Sequence, residues 1–239
     1  MVQENTKEGY ALKVRVKFAK EGVMKFIGHL DIMRYFQKAV KRANLDVAFS
    51  EGFSPHMIMS FASPLGVGIT STGEYFDMEL KSATTSSDMV KRLNDAMAEG
   101  MKILSIRQVE DGKASKAMSL VAAADYRLKF RETAKLPENW KEKLEEFKAQ
   151  KEIVILKKTK KSEKELDIRP FIYKLSLEEK DEIFMQLAAG SSNNTKPELV
   201  MEAFAAFMEI PYENLKFMIH RCELYANTVS DEARNLVSL

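Results

Sequence analysis

His29, one of three histidines in the chain, stands behind a glycine in the run Lys25-Phe26-Ile27-Gly28-His29-Leu30-Asp31, and His56 follows in Ser54-Pro55-His56. An imidazole changes charge near neutral pH, so two of them suit proton transfer. Metal-free RNA cleavage needs one group to take the 2′-hydroxyl proton, another to protonate the leaving oxygen, and a cation beside the phosphate. His29, His56 and either Lys25 or Arg34 are the residues of this chain that could fill those roles. If the two histidines share a pocket, Gly28, His29, Asp31, Ser54, His56, Gly66 and Gly68 would line it, with the glycines admitting a ligand closely. The plain alternative is local capping and packing by each histidine, with glycines serving turns. Other chemistry is poorly supplied. Ser54, His56 and Ser63 have no acid placed to orient the histidine and no nucleophile elbow. His29, Asp31 and His56 lack a ligand pair at helical spacing, so no metal is expected. The single cysteine, Cys222, excludes an internal disulfide and a self-contained iron–sulfur cluster, and no cofactor is expected.

These residues must be positioned by the elements around them. Leu12, Val14, Val16 and Phe18 alternate with Lys13, Arg15 and Lys17, the period of a half-buried strand. From Leu30 to Leu45, Ile32, Met33, Phe36, Ala39, Val40 and Ala43 recur at helical spacing, leaving Arg34, Lys38, Lys41 and Arg42 outside. Extended segments are expected at 46–50 and 56–62, and again at 73–80, where Phe76, Met78 and Leu80 point inward. A helix with Ser/Asp N-cap candidates then stops at Gly100, before a strand from Met101. The order β-α-β-β-α-β repeats after a polar, small-residue segment, with a new strand expected from Tyr126. Both halves match the split βαβ pattern, so the fold expected is α+β, two tandem ferredoxin-like domains with antiparallel sheets, over residues 1–112 and 113–239.

That architecture would leave Lys13/Arg15/Lys17 and Arg127/Lys129/Arg131 on the open sheet faces, about 7 Å apart along each strand, where they could follow RNA phosphates. The first row faces Tyr75, Asp77 and Glu79 on a neighbouring strand, so ion pairing would neutralise it in a solvated face. The second faces no comparable acidic row and is the better RNA candidate. Neither strand has the exposed aromatic signature of a standard single-strand reader. The basic tip in "KKTKKSEKEL" reads as solvated. The methionines, among them Met24, Met33, Met57, Met59 and Met78, read mostly as core filler. A net charge of +2 places any nucleic-acid role in local patches. No stretch approaches about eighteen consecutive apolar residues, and "MVQENTKEGY" has no targeting pattern, so no membrane span and a cytoplasmic location are expected.

The segment from Lys25 to Leu80, "KFIGHLDIMRYFQKAVKRANLDVAFSEGFSPHMIMSFASPLGVGITSTGEYFDMEL", resembles the characteristic region of bacterial radical-SAM-linked proteins, which are encoded beside or fused to cobalamin-binding radical-SAM proteins. The resemblance is specific over that region and extends through the first 225 residues or so. It implies a partner module for a radical-SAM enzyme that carries the iron–sulfur cluster itself, in a genetic setting of a ribonuclease and ribosomal proteins. The function expected is an accessory RNA-binding protein that presents tRNA or rRNA to that enzyme for modification. A weaker resemblance, to the repeat-associated RNA-processing proteins of CRISPR systems, implies a metal-independent endoribonuclease using His29. A scaffold that binds the enzyme without RNA is the third reading.

Overall fold

The computed structural model describes residues 12–110, 116–158, 163–191, 193–228 and 235–239. The N-terminal "MVQENTKEGY", the boundary expected at residue 112 and the basic tip around 159–162 lie outside them. The protein is a mixed α+β chain with a large, mostly antiparallel sheet and few helices. It forms two compact units, Met1–Val121 with Glu223–Leu239, and Ala122–Cys222. No helix among the described residues is long and apolar enough to cross a membrane.

In the first unit β1 (Leu12–Lys20), α1 (His29–Arg42), β2 (Met59–Phe61), β3 (Thr70–Leu80), α2 (Ser86–Asp95) and β4 (Met101–Gln108) follow in chain order, then a single helical turn, α3 (Ala117–Leu120). β1 lies between β3 and β4, antiparallel to both, and β2 pairs with β3. The alternation in β1 puts Val14, Val16 and Phe18 against α1, whose buried stripe is Ile32, Phe36, Ala39 and Val40. Phe18, Phe36, Phe61 and Phe76 form one aromatic cluster, with Phe18 and Phe36 edge to face at 4.7 Å. Met24, Met57 and Met78 fill the same core. The extended run expected at 46–50 reduces to two isolated bridges, Val47 to Leu80 and Phe49 to Met57.

The two helices of this unit cap each other. Arg42 of α1 donates Nη2 to the carbonyl of Ala96 just past α2, at 2.8 Å, while Arg92 of α2 donates Nε to Ala43 at 2.9 Å and Nη2 to Asn44, just past α1. Each arginine satisfies carbonyls that the other helix leaves without an intrahelical donor.

In the second unit β5 (Val121–Phe130) precedes α4 (Trp140–Lys148), the two-stranded hairpin β6 (Val154–Lys158) and β7 (Glu163–Asp167), then β8 (Ile172–Leu177), β9 (Glu182–Ala188), α5 (Pro197–Phe207) and β10 (Phe217–Thr228). β5 starts at Val121, five residues before the expected Tyr126. Ala123 and Ala124, read in the sequence as a small-residue connection, are fully buried strand residues. Leu128 is buried and Phe130 meets Trp140 edge-on at 5.2 Å, which identifies the helix-covered face. β9 pairs antiparallel with β5 and β8. The last residues of β10 belong to the first unit and pair with β11 (Asn235–Ser238).

Candidate functional site

His29 is the first residue of α1, and Gly28 takes an ordinary extended conformation at the N-cap, with open space where a side chain would project. The imidazole is half-buried, edge-on to Phe61 at 5.6 Å. It borders a cavity of about 10 Å³, the volume of a single water, together with Lys20, Ser63, Leu65 and Glu74. Burial holds the His29 pKa below its ordinary value; the Glu74 carboxylate opposes that shift and the Lys20 ammonium reinforces it. The balance favours the neutral imidazole.

Lys20 and Glu74, absent from the sequence expectation, are 2% and 4% exposed. Lys20 Nζ donates to the Ile27 carbonyl at 2.8 Å, tying the end of β1 to the turn before α1. Their parity was a usable signal: Lys20 continues the inward series Val14, Val16, Phe18, and Glu74 that of Phe76, Met78, Leu80. A charged residue at an inward position demands a partner.

The segments expected to meet at the site divide. "KFIGHLD" does meet the "PLGVG" loop: the Gly68 N–H donates to the Lys25 carbonyl at 2.8 Å, and Gly68 adopts φ +89°, which favours glycine. Gly66 sits in the same loop with Ile69 3.1 Å from where a side chain would begin. His56 goes elsewhere. It is exposed in the loop between Phe49 and Met57, with Nδ1 2.8 Å from Ser50 Oγ, and does not line the His29 cavity. Ser54 is exposed in the same loop. Asp31 pairs at 3.2 Å with Arg34 on the exposed side of α1. Lys25 stands 5.2 Å from the Phe26 ring centroid. Val23, Phe26, Leu30 and Val67 around this junction are each more than 60% exposed, an apolar rim the sequence pattern did not announce. Among the described residues no group of three His, Cys, Asp or Glu is placed to hold a metal ion.

The two basic rows differ. The expectation of a solvated first row is corrected: Lys13 and Arg15 are 7% and 3% exposed. Arg15 forks onto Asp77, Nε to Oδ1 at 2.7 Å and Nη2 to Oδ2 at 3.1 Å, while the Ala117 N–H donates to Oδ2 at 2.8 Å. Lys17 Nζ reaches Glu223 Oε2 at 2.5 Å, and Tyr75 donates its hydroxyl to Oε1 at 2.6 Å. Burial and this bond push the Tyr75 pKa far above the ordinary phenol range, so it remains a donor. α3 and the end of β10 thus supply groups to this face. In the second unit Arg127, Lys129 and Arg131 are all exposed. Arg127 pairs with Glu178 at 3.2 Å and Lys129 lies opposite Glu182 in the ladder, acids that the sequence expectation overlooked. The Lys129 and Arg131 side chains have no ion pair among the described residues.

A family model described as an uncharacterized protein conserved in bacteria (DUF2344) matches residues 13–197. No curated protein matches. Solved structures similar to the chain include a Cbf5–Nop10–Gar1 complex, at 11% identity and TM-score 0.44 over 88% of this chain and 48% of that one. They also include the archaeal box H/ACA sRNP Nop10–Cbf5 complex, at 11% identity and TM-score 0.40 over 87% and 46%. A protein of unknown function from Galdieria sulphuraria aligns at 13% identity and TM-score 0.27 over 89% and 99%. The chain spans about half the length of the first two.

Proposed function

The chain belongs to this bacterial DUF2344 family, and we propose that it is an accessory RNA-binding protein that presents tRNA or rRNA to a radical-SAM enzyme in the cytoplasm. The observation that carries the reading is the exposure of Arg127 and Lys129 on β5 and of Arg131 just past its end, while the equivalent row of the first unit is largely buried in ion pairs. Two tandem ferredoxin-like domains are the finer description we adopt, supported by the order β1-α1-β2-β3-α2-β4 with β1 between β3 and β4. Lys and Arg held on an open strand face give phosphate-directed, sequence-independent affinity. The radical-SAM partner rests on the resemblance of residues 25–80, and the apolar rim of Val23, Phe26, Leu30 and Val67 beside that region is the surface we assign to it. Cleavage through His29 gains nothing from the geometry, because the cavity holds His29 without His56.

The test measures affinity for bulk cellular RNA against salt. Replacing Arg127, Lys129 and Arg131 with Ala weakens binding and flattens the log–log salt slope by about two to three units. An unchanged slope removes the row from the interface. Co-purification of a radical-SAM enzyme that is lost on Phe26→Ser with Leu30→Ser supports the partner assignment; retention by the double variant overturns it.

A further inference from the structure

A second cavity, of about 240 Å³, opens in the second unit between the last turn of α4, the segment after it, the turn Arg169–Phe171 and β8. Among the described residues its lining includes Lys148, Arg169 and Lys174 and no carboxylate; Ile153, Ile172 and Tyr173 form its less polar part. Arg169 is fixed. Its Nε donates to the Gln150 carbonyl at 3.2 Å and Nη1 to the Ile172 carbonyl at 3.0 Å, while its backbone N–H donates to Asp167 Oδ1 at 2.9 Å. That leaves the Nη2 end of the guanidinium as a preorganised donor pair. Lys174 is exposed, its Nζ 4.9 Å from the Phe184 ring centroid, and Lys148 pairs with Glu145 one turn back. β8 ends the strand order of the sheet, and its ladder steps from Ile172↔Leu187 to Lys174↔Gln186, making Tyr173 the extra residue of a bulge. Such a bulge brings consecutive residues to one cavity, where regular alternation would turn every other one away.

We propose that this cavity binds the phosphate and base of a single nucleotide. Three cations without a lining acid select an anion, and a fixed arginine fork suits phosphate oxygens. Tyr173 with the two isoleucines supplies the apolar wall on which a base packs. The volume lies below the roughly 300 Å³ at which small-molecule sites usually begin, which fits one nucleotide and is too small for a larger cofactor. The nucleotide has two sources, a residue of an RNA strand or a free mononucleotide. The first rests on the RNA-binding reading above; the second does not.

The experiment titrates the full chain with AMP, adenosine and inorganic phosphate, following backbone amide shifts by NMR. AMP is expected to move the amides of Ile172 to Leu175 and to bind at least about tenfold more tightly than adenosine, the share of a charge-assisted phosphate contact. Lys148→Gln with Lys174→Gln, both at the rim, should weaken AMP by a further tenfold or more while the amide shifts away from the cavity stay those of the parent. Arg169→Lys tests the fork, and the rim variant keeps the test decisive if Arg169→Lys fails to fold. Absence of shifts at millimolar AMP, or equal binding by the rim variant, overturns the site. A short single-stranded RNA that shifts the same amides identifies a strand as the source; AMP binding without RNA binding leaves the site standing and removes the RNA reading.

Discussion

Arg15 and Asp77 face each other across β1 and β3 as a two-pronged ion pair, 2.7 and 3.1 Å, with both side chains 4% exposed. A pair this buried has little solvent to fall back on when one member is lost. Asp77→Ala is expected to destabilise the protein by about 3–5 kcal/mol, because it removes the buried carboxylate onto which Arg15 forks, and Arg15→Met with Asp77→Leu to recover most of that. Urea unfolding of the two variants checks it; equal losses would mean that the charge is not the cause.

The reciprocal arginine caps are unequal. Arg92 serves two carbonyls and also meets Asp88 at 3.4 Å, whereas Arg42 serves one from an exposed position. Arg92→Ala is expected to cost about 1.5 kcal/mol or more, as for a hydrogen bond from a charged donor, and Arg42→Ala less. Denaturant midpoints in the two variants give the ranking.

His29 takes up a proton less readily in the folded protein than in the unfolded chain, because burial holds its pKa below 6.5. Acid therefore favours unfolding: the His29 contribution is complete above the unfolded value and is lost as pH falls through and below it. Stability measured at pH 7.5 and 5.5 should fall less in His29→Gln than in the parent, and the imidazole NMR titration should have its midpoint below 6.5. A midpoint above 6.5 would reverse the sign and place Glu74 in control.

Gly100 ends the turn before β4 with φ +85°, and a Cβ there would lie 2.7 Å from the Glu21 carbonyl oxygen. The Glu21 N–H also donates to the Gly100 carbonyl at 2.8 Å. Gly100→Ala is expected to lose more than about 1 kcal/mol, seen as a thermal midpoint lower by at least about 2–4 °C.

Much of this was legible in the residues. The alternation of Val14, Val16 and Phe18, the stripe Ile32, Phe36, Val40 and the stop at Gly100 each encode a local period, and local periods survive folding. The exposure of Arg127, Lys129 and Arg131 follows from the same alternation. The burial of Lys13 and Arg15 does not, since alternation assigns a side chain to one side of a strand and is silent on what covers that side. Two groups that do meet this row of residues, the Ala117 N–H on Asp77 and the Glu223 carboxylate on Lys17, are remote in sequence. His56 was separated from His29 by a loop whose path depends on the Ser50 hydroxyl. Lys20 and Glu74 stand at inward parity in their strands, and a charge at such a position marks a polar site inside the core.

Glu223 completes the cluster around Lys17 and Tyr75 although the whole second unit lies between them in the chain. On the ribosome, where residues emerge in order, this cluster cannot form until residue 223 has left the exit tunnel. Until then Lys17 and Tyr75 must wait without their carboxylate. The first unit to begin is thus the last to finish, and Glu223→Gln should slow its final consolidation, leaving the closing of the second unit untouched.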